Sequence, residues 1–199
     1  MAQIKRLFIG GSVGNEQLTA LVAAVLLLLL AIEGATLLHI RSLLTVHAFV
    51  GMLLVPVVVL KLASTGWRML RYYRHGEEYV RRGPPQRMLR VLVAPLIVLS
   101  TLVLFATGVA LPILDRTQGT LVGLHKASFV VWVAATGLHV LAHVARLPRL
   151  LLEKAPGAAL RVVLVAAAAA AGAVLAVATL PGADRLQDRA SARFGVDAR

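Results

Sequence analysis

Three of the chain's six histidines stand in one apolar stretch, TLVGLHKASFVVWVAATGLHVLAHVAR, at residues 120–146. A segment of that length can cross a bilayer, and imidazoles inside it are costly unless they are paired, wetted or ligated. On a helix turning 100° and rising 1.5 Å per residue, the step from His125 to His139 returns to nearly the same face about 21 Å along the axis. His143 follows one turn later. Two further histidines, His39 and His47, lie in a second apolar stretch that also carries Pro56 and Lys61. His75, next to Gly76 in a polar region, reads as a solvated loop histidine. The chain has no cysteine, so any metal or metallo-cofactor must be held by His, Met or oxygen ligands, and disulfide, zinc-knuckle and thiolate-ligated cluster chemistry is excluded. His139 and His143 could hold a divalent metal with a third ligand from another helix, although no HExxH pattern or carboxylate cluster accompanies them.

Composition dictates the elements that must position these residues. At 59% hydrophobic and 15% charged, with several apolar runs near twenty residues, the sequence predicts an all-α integral membrane protein. The expected architecture is a four-helix bundle, able to bind a cofactor between its helices, plus a fifth C-terminal transmembrane helix. A first helix follows Lys5 and Arg6 and runs over about 18–30. Gly34 is expected to end it and Thr36 to cap a second helix over about 37–63, kinked at Pro56. Residues 64–90 read as an arginine-rich loop at headgroup level, with Trp67, Tyr72, Tyr73 and Tyr79 beside the arginines and a break at Gly83-Pro84-Pro85. A third helix is expected over 88–114, a turn at 115–119, a fourth helix over 120–146 and a fifth over 160–180. Domain boundaries follow: 1–17 a cytoplasmic N-terminus, 18–146 the four-helix unit, 147–159 a cytoplasmic linker, 160–180 the fifth helix and 181–199 a polar tail. The fifth helix offers no metal-ligating side chain over 165–177 and is expected to be dispensable for cofactor binding.

The net charge of +12 comes from basic residues between apolar runs rather than on an amphipathic face, a pattern that argues against nucleic acid. Of the 21 Lys and Arg, fourteen fall on one side of the layout and seven on the other. The positive-inside rule then places the N-terminus in the cytoplasm and the C-terminus outside, in a multi-pass membrane protein whose first partner is the lipid bilayer. There is no phosphate loop, nucleophile elbow, or flavin or nicotinamide fingerprint, so no catalytic residue is assigned.

Helices two and four run parallel in this layout and can face each other across the bundle. Iron in a porphyrin takes one axial imidazole from each face, so His139 and His143, on one helix, cannot clamp one haem between them. His47 and His125, in the outer halves of helices two and four, are the preferred axial pair. Gly51, one turn below His47, removes a side chain where a porphyrin would press. Counted from the expected cytoplasmic ends, the two depths differ by about 7 Å, an offset that tilt and the Pro56 kink can absorb. His39, beside Arg41 at the interface, is the runner-up. Glu33 reads either as a structural residue or as a proton or quinol group, and Trp132 as bundle packing.

The blocks HAFVG at 47–51, HKASF at 125–129 and HVLAH at 139–143 resemble the membrane cytochrome b families of bacteria, including the b subunits of hydrogenases and formate dehydrogenases. KLASTGWRMLRYY and the GPP turn are similar to small actinobacterial cytochrome b-like integral membrane proteins. The resemblance covers residues 18–146. It implies a b-type cytochrome subunit of the bacterial cytoplasmic membrane, passing electrons through bis-histidine haem b between the quinol pool and a partner oxidoreductase. In two-haem members each of two helices carries two histidines thirteen or fourteen residues apart. His125 with His139 fits that pattern, whereas Lys61 stands fourteen residues after His47 where the family has histidine. The resemblance therefore implies one haem b or two, with His139 and His143 as ligand or propionate contacts at the inner position. Two competing readings use the same residues differently: a metal or haem transport protein, and a cofactor-free scaffold subunit that would tolerate alanine at His47 and His125.

Overall fold

The structure, a computed structural model, describes residues 11–81, 93–153 and 155–194. In hydrocarbon a backbone must satisfy its own hydrogen bonds, which leaves the apolar runs little choice but helix. The described residues form α1 (Gly11–Leu37), α2 (Leu44–Tyr73), α3 (Glu77–Arg81), α4 (Ala94–Ile113), α5 (Thr120–His143), α6 (Leu147–Leu152) and α7 (Ala158–Phe194), with no strand among them. A 3-10 turn, Val144–Arg146, continues α5 into α6. Five segments are long and apolar enough to cross a membrane: Gly11–Leu37, Leu44–Tyr73, Ala94–Ile113, Thr120–Leu152 and Ala158–Arg193. The chain is an all-α protein of the lipid bilayer.

Several boundaries differ from the sequence expectation. Gly34 does not end α1, which begins at Gly11 and runs on to Leu37. Thr36 caps nothing; its hydroxyl donates back to the Glu33 carbonyl at 2.6 Å. The second helix starts at Leu44 rather than 37, leaving His39 exposed in the connection. It passes through Pro56 and continues to Tyr73, so the first ten residues of the expected loop are helical. The extra turns are held by α1: Asn15 Nδ2 donates to the Ser64 carbonyl at 3.1 Å, and Arg68 pairs with Glu16 at 3.2 Å. Beyond them the Arg71 guanidinium lies 6.0 Å from the Trp67 ring and 5.9 Å from that of Tyr79, a cation–aromatic arrangement suited to headgroup level. The GPP turn and the expected start of the third helix at 88–92 lie outside the described residues. Much of the expected polar tail is helical, since α7 runs to Phe194.

α2 is the hub. α1 packs along one side of it and α7 along another, and the core joins Leu18, Val22 and Leu26 of α1 to Val50, Leu54 and Val57 of α2 and Val165 of α7. Small side chains let the α2 and α7 backbones approach closely: a Cβ on Gly172 would collide with the Leu53 carbonyl. α4 and α5 form a second unit, a tightly packed hairpin that meets the first through contacts of α4 with α2 and α7. The turns at 38–43 and 114–119 and the far end of α7 gather at one end of the bundle, hereafter the turn end. The opposite, basic end holds Arg68, Arg71 and α3.

Candidate functional site

Between the two units, near the turn end, lies a cleft with a cavity volume of about 120 Å³, part of it open to the surroundings. α1, α2, α4, α5 and α7 all contribute to its lining, which is apolar except at a few points: His47 and Glu33 on one wall and His125 with Trp132 on another. Its apolar lining includes Leu30, Leu54, Leu104, Phe105 and Phe129.

The two histidines are held in the same way. His47 Nδ1 lies 3.0 Å from Thr36 Oγ1 and 3.0 Å from Glu33 Oε1. The Thr36 proton is already committed to the Glu33 carbonyl, so Thr36 Oγ1 faces the ring as an acceptor and Nδ1 carries the hydrogen, with Glu33 Oε1 a second acceptor when its carboxyl is ionised. His125 Nδ1 lies 3.1 Å from Thr107 Oγ1 and 3.2 Å from the Leu104 carbonyl. Thr107 likewise donates to backbone carbonyls, at 2.7 Å to Val103 and 3.0 Å to Leu104, which again leaves acceptors facing Nδ1–H. In each ring Nε2 keeps its lone pair, with no described residue engaging it. A neutral imidazole whose Nδ1–H is fixed by a carboxylate or carbonyl is the arrangement that orients metal-ligating histidines.

Glycine clears the space around them. A Cβ on Gly108 of α4 would come 3.1 Å from His125 Cε1, so a side chain here would press the His125 ring by a few tenths of an ångström. Gly51 lines the cleft, and a Cβ there would stand 3.5 Å from Glu33 Oε1. Glu33 is mostly buried, its Oε1 on His47 and its Oε2 without a partner. Trp132 Nε1 donates to Thr101 Oγ1 at 2.9 Å, which fixes the indole in the wall.

The expected cytoplasmic end of α2 at Ala63 is not its end, so the two depths are better compared from the helix starts. Measured from the turn end, His47 is three residues into α2 and His125 five into α5, a difference of about 3 Å along the axes. His39 does not line this cleft.

The inner residues are arranged differently. Lys61 Nζ donates to the Thr19 carbonyl of α1 at 2.8 Å and is within electrostatic reach of His139. The His139 and His143 rings stack at 4.5 Å, and His143 Nδ1 bonds the His139 carbonyl at 2.9 Å. No group of three or more His, Asp or Glu suited to a metal ion occurs among the described residues.

The sequence reading missed Thr36, Thr107, Gly108 and Leu186 as members of the site. The three-residue spacing of Glu33 and Thr36, which puts both on one helix face, was the available signal for the first. Leu186, in the stretch expected to be a polar tail, belongs to α7 and lines the cleft. No protein-family model matches the chain, and neither a curated protein nor a solved structure is significantly similar to it.

Proposed function

We propose that the chain is a b-type cytochrome, with one haem b held between His47 and His125, that passes electrons between a quinone pool and a partner oxidoreductase in a bacterial cytoplasmic membrane. The observation that carries this reading is the pair of imidazoles on separate walls of one apolar cleft, each with Nδ1–H tied back and Nε2 left as a donor to iron. The character of the lining supports the reading: it is apolar, and Gly51 and Gly108 keep side chains away from Glu33 and His125. Haem bound there would supply a one-electron redox couple. The protein's share is orientation and dielectric. Glu33 and Thr36 set the His47 ring, Thr107 and the Leu104 carbonyl set the His125 ring, and the apolar walls exclude water. The basic asymmetry supports an N-terminus in the cytoplasm and a C-terminus outside. A second haem at His139 is the less supported version, because Lys61 is already engaged by α1.

The test is the dithionite-reduced minus oxidised spectrum of the purified protein, with haem counted per chain. One low-spin haem is expected. His47→Ala and His125→Ala should each abolish it or leave high-spin iron. A normal spectrum in the double variant, or folded wild-type protein purified from haem-replete cells without haem, would overturn the assignment. Two haems per chain, with one lost in His139→Ala, would refute the single-haem version.

A further inference from the structure

The last turns of α7 cross the turn end of the cleft and grip both units of the bundle. α2 begins without a cap of its own, since Leu43 makes no side-chain bond to its first turn. Gln187 fills that role from more than a hundred residues away. Its Oε1 accepts from Leu44 N at 2.9 Å and Thr45 N at 3.4 Å, and its Nε2 donates to the Arg41 carbonyl at 2.6 Å. These bonds satisfy backbone groups that a helix start otherwise leaves open. Thr45 Oγ1 also donates to Asp184 at 3.2 Å.

The other unit is gripped through the turn between α4 and α5. Arg189 pairs with Asp115 at 2.5 Å, and Arg193 donates to Gln118. A Cβ on Gly182 would stand 3.0 Å from the Pro112 carbonyl, so α7 meets the end of α4 almost backbone to backbone. Between the two grips Leu186, only 4% exposed, lines the cleft that holds His47 and His125. An apolar plug is thus held in place from both sides by polar contacts, several of them solvent-exposed and individually weak.

We infer that residues 182–193 are a clasp that keeps the turn end of the cleft shut against molecules arriving from water, and that releasing Gln187 and Arg189 opens it. The inference concerns access to the cleft and stands whether or not the cleft holds haem.

The chain has no cysteine, so a single introduced thiol reports access cleanly. Met52 lines the cleft and is 3% exposed, which makes Met52→Cys the reporter. Ala20→Cys, on α1 and equally buried at 3%, is the control. The full-length protein in detergent is treated with a small charged methanethiosulfonate, and the modification rate is measured. Met52→Cys should react slowly in the parent and about ten-fold faster when Gln187→Ala and Arg189→Ala are combined, with Ala20→Cys unchanged. Gln187→Glu, which keeps an acceptor for Leu44 and Thr45, should stay close to the parent rate. Fast modification of Met52→Cys in the parent, an unchanged rate in the double variant, or equal acceleration at Ala20→Cys would each overturn the clasp.

Discussion

His47 and His125 carry the site, and what distinguishes them from the other four histidines is the company of Nδ1. Each ring gives its N–H to oxygens supplied by a different helix: Glu33 and Thr36 of α1 for His47, Thr107 and Leu104 of α4 for His125. Residue type and helical spacing point to this pair and to Gly51, and all three line one cleft. Type and spacing could not reveal the partners, because those bonds run between helices and depend on how α1 and α4 are rotated. Gly108 gives the sharpest test at this scale. A valine there would drive its side chain into the His125 ring, already 3.1 Å from the position of a Cβ. Gly108→Val should therefore bind several-fold less haem per folded chain, read as the ratio of haem to protein absorbance. His39→Ala, altering an exposed residue of the connection, should leave that ratio unchanged.

Among the elements, all five long helices were legible as apolar runs, and their ends were not. α2 continues past Ala63 because Ser64 and Arg68 find partners on α1, an interaction that hydropathy does not encode. α7 was undervalued for a related reason. Its alanines and glycines carry information as missing volume: Gly172 admits the Leu53 backbone, Gly182 admits Pro112, and Ala176 is fully buried at 0%. Small residues are how membrane helices pack closely, so low complexity here encodes an interface. If the cleft holds haem, truncation after Gly157 should lower or abolish its binding in chains that still insert, because it removes Leu186 from the cleft lining and Gln187 from the start of α2 together. Carbonate-resistant membrane association alongside the haem spectrum separates this outcome from failure to insert. Retention of the spectrum would show that α1, α2, α4 and α5 suffice.

At the scale of the whole molecule the basic asymmetry predicts which end faces the cytoplasm. In intact cells an impermeant thiol reagent should modify Gln118→Cys and leave Glu78→Cys untouched; the reverse pattern would invert the topology. The order of helices has a consequence for biogenesis. α7 is synthesised after the other described helices, yet it is the one that packs along α2, the earlier hub, and lays Leu186 into the cleft. Until Ala158–Phe194 has been made, the emerging protein has its two histidine-bearing helices without Leu186 across the cleft. Synthesis of α7 is therefore the event that would shut the turn end, and any bulky ligand of the cleft would have its freest passage before that helix emerges.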